Sequence, residues 1–498
     1  MLDVLLKAAS SVLGDPLTIF LVFIGTAVGI VFGAVPGLTA TVAIAMFLPV
    51  TFNMTATTGV STLVALYIGG ISGGLISAIL LNMPGTPSSI ATCFDGRPLA
   101  LKGEAGKAIG VGVVFSFIGT LLGIAAMFFI APWLASLTIK FGPWEYFAVT
   151  FFSLTLIASL SGNNIVKGVM TAVFGMMFAT IGLAPVDGVE RFTFGSIEMT
   201  SGFSMLSVLV GLYAISEVMK TAGAMQFDDT MGMKTTEFHI KGFGFSMKEF
   251  LSQIGNCIRS ALIGIGIGIL PGIGGGTSNI LSYSIAKNQS KHPEKFGTGI
   301  IDGVVASETA NNATIGGAMI PLLTLGIPGD TVTAMLLGGF VIHGIQPGPL
   351  LFESHGDVVY GVFIAMILSS FFMLLWSFGA MRLFIKVLKV PKNYLYPIII
   401  VLCTLGAYAI NTRTFDAIAM VFFGVVGYVL EKLKYPLPPF ILGFVLCGTF
   451  ETNLRRGLQM DNGNFMGMFT HPIAVAFFVV GIVSVLLSVR KARKMKNA

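Results

Sequence analysis

Two stretches decide the fold: GAVPGLTATVAIAMFLP at residues 33–49 and LLNMPGTPSSIATCF at residues 80–94. Between Pro16 and Phe94 there is no Asp, Glu, Lys or Arg, so both stretches read as lying at membrane depth. Each is interrupted by a Pro-Gly pair, Pro36-Gly37 in the first and Pro84-Gly85 in the second. Proline lacks an N–H donor and disfavours helix in the residue before it, yet it suits the first turn of a new helix. Glycine allows close backbone approach and reaches conformations other residues avoid. The pair therefore ends one helix and starts another. Lipid cannot replace the hydrogen bonds lost there, so such a break is tolerated only where it lines an enclosed or watery cavity.

The pattern recurs in the second half. Pro271-Gly272 stands in GILPGIGGGTSN (residues 268–279) and Pro328-Gly329 in TLGIPGDTVTA (residues 324–334). Pro36 and Pro271 are 235 positions apart, and Pro84 and Pro328 are 244 apart, a near-register duplication. Paired breaks in matching positions of two halves point to a binding site of the kind found in transporters, and an inverted repeat fits the pattern.

Composition agrees with a membrane location. Of 498 residues 54% are hydrophobic and only 10% charged, with a mean hydropathy of +0.88. Apolar segments recur along almost the whole chain and leave no room for a sizeable soluble domain. The expected fold is an all-α polytopic membrane protein of two related, inverted halves, with broken or re-entrant helices and roughly 12 transmembrane segments. The opening MLDVLLKAASSVLGDPLTIF reads as an uncleaved first helix, its apolar run being too long for a signal peptide. The least hydrophobic long stretch, residues 226–250, reads as a polar linker between a first repeat (1–225) and a second repeat with a basic tail (251–498). Residues 38–52 and 276–287 are too short to span and read as half-helices or re-entrant arms.

The net charge of +6 comes mainly from loops and the tail. Basic residues gather at Arg382 to Lys392, at Lys432 and Lys434, and from Arg490 to Lys496, which the positive-inside rule places in the cytoplasm. Nucleic acid is a poor partner for them. The four cysteines, Cys93, Cys257, Cys403 and Cys447, are isolated, and neither a disulfide framework nor a zinc pattern is present. No G-x-x-x-x-G-K-[ST] loop is present to bind ATP phosphates, so uphill movement of a solute would draw on an ion gradient or a partner.

At each break, free N–H groups and the positive end of a helix dipole form an anion site, and released carbonyls can coordinate a cation. Hydroxyls follow: Thr39 and Thr41; Thr86, Ser88 and Ser89; Thr277 and Ser278; Thr331 and Thr333. The set suits a carboxylate accompanied by sodium ions or protons. The plainer reading is that these hydroxyls are caps and the glycines close-packing positions. A fifth pair, Pro347-Gly348 in HGIQPGPLLFE, has no counterpart and reads as a loop turn.

Charges inside apolar sequence form a second constellation. Glu308 stands in VVASETANNATIGGAMIPLL, and Asn311 and Asn312 share its helical face. An intramembrane carboxylate is a functional candidate, here for a coupling proton or cation; against that, Asp302 lies six residues back and Glu308 could sit at an aqueous helix end. Asp330, directly after Pro328-Gly329, suits a helix cap and a cation ligand equally. Asp416 and Glu217, near expected helix ends, carry weaker claims. An enzyme alternative rests on Gly70-Ile71-Ser72-Gly73, a G-x-S-G string with His343 in a distant apolar segment; glycine packing explains the string equally well. An anion channel is the other rival class.

Six strings carry a family resemblance: VGIVFGAVPGLTA, YIGGISGGLISAILLNMPGTPSSIATCFDGRPLALKG, GILPGIGGG, ETANNATIGGAMIPLLTLGIPGD, IQPGPLLF and PFILGFVLCGTFETNLRRGL. Their order and content resemble the large membrane subunit of the tripartite tricarboxylate transporters, from about Gly25 to His471. The resemblance implies a translocation pathway in a bacterial inner membrane, a small four-helix membrane subunit, and a periplasmic solute-binding protein that delivers a small organic anion. It also implies ion coupling without ATP; the expectation is completed by sodium or protons as the coupling ion, no cofactor, room for a homo-oligomer and, by fold-level analogy, an elevator or rocking motion. Carried over by motif, the implied site residues surround Pro36-Gly37, Pro84-Gly85, Pro271-Gly272, Glu308 to Asn312 and Pro328-Gly329.

Overall fold

The computed structural model describes residues 2–35, 37–160, 165–224, 243–381, 383–384 and 392–496. Pro36, most of the expected linker and most of the basic stretch 382–392 lie outside the described residues. The first half holds α1 (Leu2–Leu13), α2 (Pro16–Ala34), α3 (Ala40–Thr51), α4 (Ala56–Leu81), α5 (Ile90–Leu99) and α6 (Ala105–Thr138). These are followed by α7 (Pro143–Leu160), α8 (Ile165–Ala179), α9 (Ile197–Thr200), α10 (Met205–Val210) and α11 (Ser216–Ala224). The second half holds α12 (Met247–Ser252), which begins inside the stretch expected to be a linker, then α13 (Ile254–Ile269), α14 (Gly274–Gln289), α15 (Ile301–Leu325), α16 (Thr331–Ile342), α17 (Leu351–Ser354) and α18 (Gly356–Gly379). The chain closes with α19 (Lys392–Asn411), α20 (Thr414–Lys432), α21 (Leu437–Met460) and α22 (Pro472–Lys496). Six helices among the described residues are long and apolar enough to cross a membrane, and α3, α13 and α16 are among the shorter apolar ones. The fold is all-α and polytopic, with a two-residue antiparallel strand pair, Gly182–Leu183 on Glu190–Arg191, as its described β-structure.

Local chemistry explains where the helices start and stop. The Asp15 carboxylate accepts from the N–H groups of Leu17 (3.1 Å) and Thr18 (3.2 Å), with Pro16 in the first turn, so the expected opening helix is split into α1 and α2. At the first break Val35 is extended and Gly37 takes φ 91°, after which Thr39 caps α3 by accepting from Val42 N–H at 3.4 Å. The half-helices expected at 38–52 and 276–287 are observed as Ala40–Thr51 and Gly274–Gln289. Pro347-Gly348 is a loop turn beside the left-handed cap of α15, with Gly348 N–H donating to Leu323 O at 3.3 Å.

Glycine sets the packing between α2 and α4. A Cβ on Gly29 would stand 2.5 Å from Leu66 O, one on Gly33 would run into Gly70 O, and one on Gly73 would run into Ile30 O. The pair α13 and α15 repeats all three approaches: Gly264 against Ala310 O, Gly268 2.7 Å from Thr314 O, and Gly317 2.6 Å from Ile265 O. Each residue of the first helix is displaced by 235 positions and each residue of the second by 244, the separations that relate the Pro-Gly pairs. Small residues let helix backbones approach closely where no hydrophobic force separates protein from lipid.

Contacts also fix directions. Gly29 meets Leu66 and Gly33 meets Gly70, so α2 and α4 run parallel; Gly264 with Ala310 and Gly268 with Thr314 make α13 and α15 parallel as well. Helix α5 runs with α4, Ser89 lying by Gly74 and Gly96 by Ile79, but against α15, Thr92 meeting Glu308 and Asp95 meeting Gly303. The first pair is therefore antiparallel to the second.

Two faces close the bundle. On one, Lys167 Nζ donates to Leu433 O at 2.5 Å, Lys220 pairs with Glu431 at 3.4 Å, and Lys107 pairs with Glu249 at 2.5 Å. The Lys107 ammonium, helped by the Ser246 amide and hydroxyl, holds the Glu249 carboxyl down at about 2. On the other, Arg191 bonds Glu451 (2.7 Å), Arg455 bonds Asp187 (2.7 Å), Arg413 bonds Glu198 (3.1 Å) and His471 lies 2.9 Å from Glu145.

Gly268→Leu and Gly33→Leu should each overpack a helix pair and cost about 1–3 kcal/mol. Gly266, with nothing within 4 Å of its Cβ position, provides the control. Thermal unfolding of the purified chain in detergent should show a lowered midpoint for the first two variants and none for Gly266→Leu.

Candidate functional site

The four Pro-Gly breaks meet in a ring. Between the first and second, a Cβ on Gly85 would collide with Gly33 O and stand 2.6 Å from Ser77 Oγ. From the second to the third, Ser88 Cβ lies 3.0 Å from the Cβ position of Gly275, and Pro87 O lies 3.3 Å from that of Gly276. Third and fourth are joined by backbone, Gly272 N–H donating to Gly329 O at 2.8 Å. The fourth returns to the first through Thr331 Oγ1 and Thr41 Oγ1, 3.4 Å apart. Residues spread over most of the chain thus converge, with Gly85, Gly275 and Gly276 standing directly against the chain at a neighbouring break.

Of the hydroxyls that follow the breaks, all but one are buried or partly buried. Thr41, Thr86, Ser88, Ser89, Ser278 and Thr333 are buried. Thr86 and Ser88 hydroxyls lie 3.1 Å apart, and Ser278 Oγ is 2.7 Å from Thr314 Oγ1. Thr39 is partly buried as the α3 cap, and Thr331 is partly buried at the first turn of α16. Pro271, Pro328, Gly85 and Gly329 are buried, and Gly272 is partly so. Thr277, by contrast, is exposed: the buried stripe of α14 runs through Gly274, Ser278, Asn279, Ser282, Tyr283 and Ala286, and Thr277 faces away from it. Pro84 is likewise exposed on the outside of its bend. Gly37 is partly buried, while Pro36 falls outside the described residues.

Glu308 is completely buried, which removes the aqueous-end reading. Its Oε1 accepts from the Thr92 hydroxyl and its Oε2 from Ser116 Oγ at 2.9 Å, with Asn312 Nδ2 at 3.4 Å. Asn312 Oδ1 in turn accepts from Ser72 Oγ at 2.7 Å, and Asn279 Nδ2 reaches Ser307 O at 3.2 Å and Thr92 Oγ1 at 3.5 Å. Five helices supply this network, and none of the groups bonded to the carboxylate is a cation. Burying an ion costs heavily unless such donors surround it.

Asp330 is chiefly a cap. Its Oδ1 accepts from Thr333 N–H and Thr333 Oγ1, both at 2.7 Å, and its Oδ2 accepts from Tyr67 OH at 2.7 Å. Asn311 differs from every other polar residue of the ring: it is 1% exposed, and among the described residues neither Oδ1 nor Nδ2 has a hydrogen-bond partner. Its Oδ1 lies 2.7 Å from the Cβ position of Gly275, close to Ser88.

The protease constellation does not form. Ser72 is spent on Asn312, whereas His343 packs against Gly59 and lies 3.4 Å from Thr51 Oγ1. Gly59 and Ser72 are 13 residues apart on α4, about 20 Å at the rise of a helix.

Sequence reading passed over Thr92, Ser116, Asn279, Tyr67 and Asp95. Asp95 is wholly buried and accepts from the N–H groups of Gly297 (2.9 Å), Gly299 (2.8 Å) and Ile300 (3.1 Å) and from Tyr283 OH (2.8 Å). It staples the loop before α15 to the end of α5.

With this geometry in view, comparison with known proteins is decisive for kinship. The model of the tripartite tricarboxylate transporter TctA family matches residues 19–442. The chain belongs to that family. An uncharacterized 52.8 kDa protein of the TAR-I ttuC' 3' region of Agrobacterium vitis is 35% identical over 482 residues, covering 97% of this chain and 95% of the relative. An uncharacterized protein of the TAR-II ttuC' 3' region of the same organism is 36% identical over 231 residues, 46% of this chain and 96% of the relative. No solved structure matches. Membership makes the chain a multi-pass membrane protein of a transport family rather than a catalytic one.

Asp95→Ala should orphan three N–H groups and a phenol, at a cost of about 3 kcal/mol or more. Limited trypsin digestion should then cut at the exposed Lys291 and Lys295, where the parent chain resists.

Proposed function

We infer that the chain is the large transmembrane subunit of a secondary, ion-coupled tripartite transporter that imports a small organic carboxylate. The observation that carries this reading is the ring: four helix breaks from distant sequence close on one another beside a buried carboxylate. Broken helices at mid-depth offer N–H groups to an anion and carbonyls to a cation. The breaks, with Thr41, Thr86, Ser88, Ser89, Ser278, Asn311, Asn312 and Thr331, hold the substrate. Coupling falls to Glu308, bound to a proton or sodium; Asp330, already engaged by three donors, serves mainly to hold α16 in place.

The two halves, 1–225 and 251–498 around the linker 226–250, are inverted repeats. Parallel packing within each helix pair, antiparallel packing between pairs, and the constant displacements of 235 and 244 support this. The face carrying Lys107, Lys167 and Lys220 is cytoplasmic by the positive-inside rule, and the chain sits in a bacterial inner membrane with roughly 12 segments. A periplasmic solute-binding protein delivers the anion at the opposite face, a small four-helix subunit accompanies the chain, and the broken-helix core moves as an elevator against the plain helices.

Counterflow in proteoliposomes holding the reconstituted subunits should saturate with solute; flux that never saturates would mean an anion channel. Gly85→Leu and Gly329→Leu should abolish uptake with membrane insertion intact, and normal uptake in both would remove the breaks from the site. Glu308→Gln should alter the ion dependence of uptake, and an unchanged dependence would leave Glu308 structural.

A further inference from the structure

Every buried side chain of the ring but one has its hydrogen bonds accounted for by neighbours. Thr86 is matched with Ser88, Ser89 donates to Thr86 O at 2.9 Å, Ser278 is matched with Thr314, Asn312 with Ser72 and Ser116, and Asp330 with Tyr67 and Thr333. Asn311 keeps a buried amide whose donor and acceptor are both unmatched. Leaving such atoms unpaired costs on the order of 1–3 kcal/mol each. Such a pair of unmet atoms in a native core calls for an explanation, and a ligand that meets both is one.

The position of the orphan says what kind of ligand. Its amide lies against Gly275, in the first turn of α14, a 16-residue helix whose cap residue Ile273 supplies no side-chain hydrogen bond. The run Gly274–Gly276 presents that terminus without side chains, and the helix dipole favours an anion there. A carboxylate can meet the α14 N–H groups and Asn311 Nδ2. It cannot meet Oδ1, because an ionised carboxylate has acceptors only. A hydroxyl on the carbon next to that carboxylate supplies the missing donor in the right place.

We propose that Asn311, at the uncapped N-terminus of α14, selects carboxylates that carry a hydroxyl on the adjacent carbon. Nδ2 donates to the anion or to the hydroxyl oxygen, and Oδ1 accepts the hydroxyl proton. Without the hydroxyl, Oδ1 remains buried and unpaired, so the deoxy acid binds more weakly. The reasoning does not depend on which way the amide is turned, since both of its atoms lack partners. The proposal rests on the carboxylate reading above and narrows it.

Thermal stabilisation of the purified chain in detergent, titrated with malate against succinate and with citrate against tricarballylate, tests it. The hydroxylated acid of at least one pair should bind the parent chain roughly 10- to 100-fold more tightly than its deoxy partner. Asn311→Ala should bring that pair to within about twofold by weakening the hydroxy acid more than the deoxy acid. Asn311→Leu, close in shape and without polar atoms, should raise the midpoint of the ligand-free chain while losing the discrimination, which separates loss of recognition from loss of folding. Equal binding within both pairs by the parent chain would overturn the inference and leave the carboxylate reading intact, as would discrimination that survives in both variants. Stabilisation by sodium chloride alone that is lost in both variants would assign Oδ1 to the cation instead and overturn it too. If none of the four acids stabilises the parent chain, both readings fall.

Discussion

Backbone that leaves a helix where no water reaches must find its hydrogen bonds in other backbone. This chain meets that constraint by setting its breaks against one another. Gly272 N–H is answered by Gly329 O at 2.8 Å, and the carbonyl of Gly33 is approached by Gly85. Such contacts require glycine at Gly329 and Gly85, because a Cβ at Gly329 would stand 2.6 Å from Ala318 Cα and one at Gly85 would overlap backbone. The ring follows from this mutual satisfaction, and whatever the breaks bind is placed by it.

The same economy of side chains organises the scaffold. Among the helices, α2 against α4 and α13 against α15 are held by glycine rows that let carbonyls graze the neighbouring helix. In lipid, apolar surface gives little reason for helices to associate, so close packing and interhelical hydrogen bonds must do so. That explains why a duplicated pattern of glycines survives at constant displacement while the residues between them differ. It also explains the polar network between α4, α5, α6, α14 and α15, where Ser72, Thr92, Ser116, Asn279 and Asn312 converge on Glu308.

What could be read beforehand was the part written in local sequence. Pro-Gly pairs announce breaks through backbone chemistry, a missing charge over a long run announces depth, and Glu308, Asn311 and Asn312 announce themselves by being polar in apolar surroundings. Thr92 and Ser116 carry no such mark, since hydroxyls are common in membrane helices and only folding brings them 216 and 192 positions along the chain to Glu308. Tyr67 meets Asp330 across 263 positions and was equally silent. The exposure of Thr277 could not be read either, because proximity to a break says nothing about the face of the helix that follows. Asp95 carries no mark of its role, since its four donors come from residues about 200 positions away.

Three of the five buried carboxylates among the described residues show why burial alone does not define function. Asp95 is held by three backbone N–H groups and a phenol, donors fixed in place by the loop itself. Asp330 closes a capping box and takes a phenol, so its geometry is that of a helix start. Glu308 alone is held by two serine or threonine hydroxyls and a side-chain amide, with no backbone donor among its bonds. Hydroxyl hydrogens rotate and each such oxygen also accepts, so these partners can answer an anion, a protonated acid or a bound cation with little change in heavy-atom positions. Fixed N–H donors suit one charge state only. A carboxylate that must change its state during a transport cycle needs adaptable neighbours, and of the three only Glu308 has them.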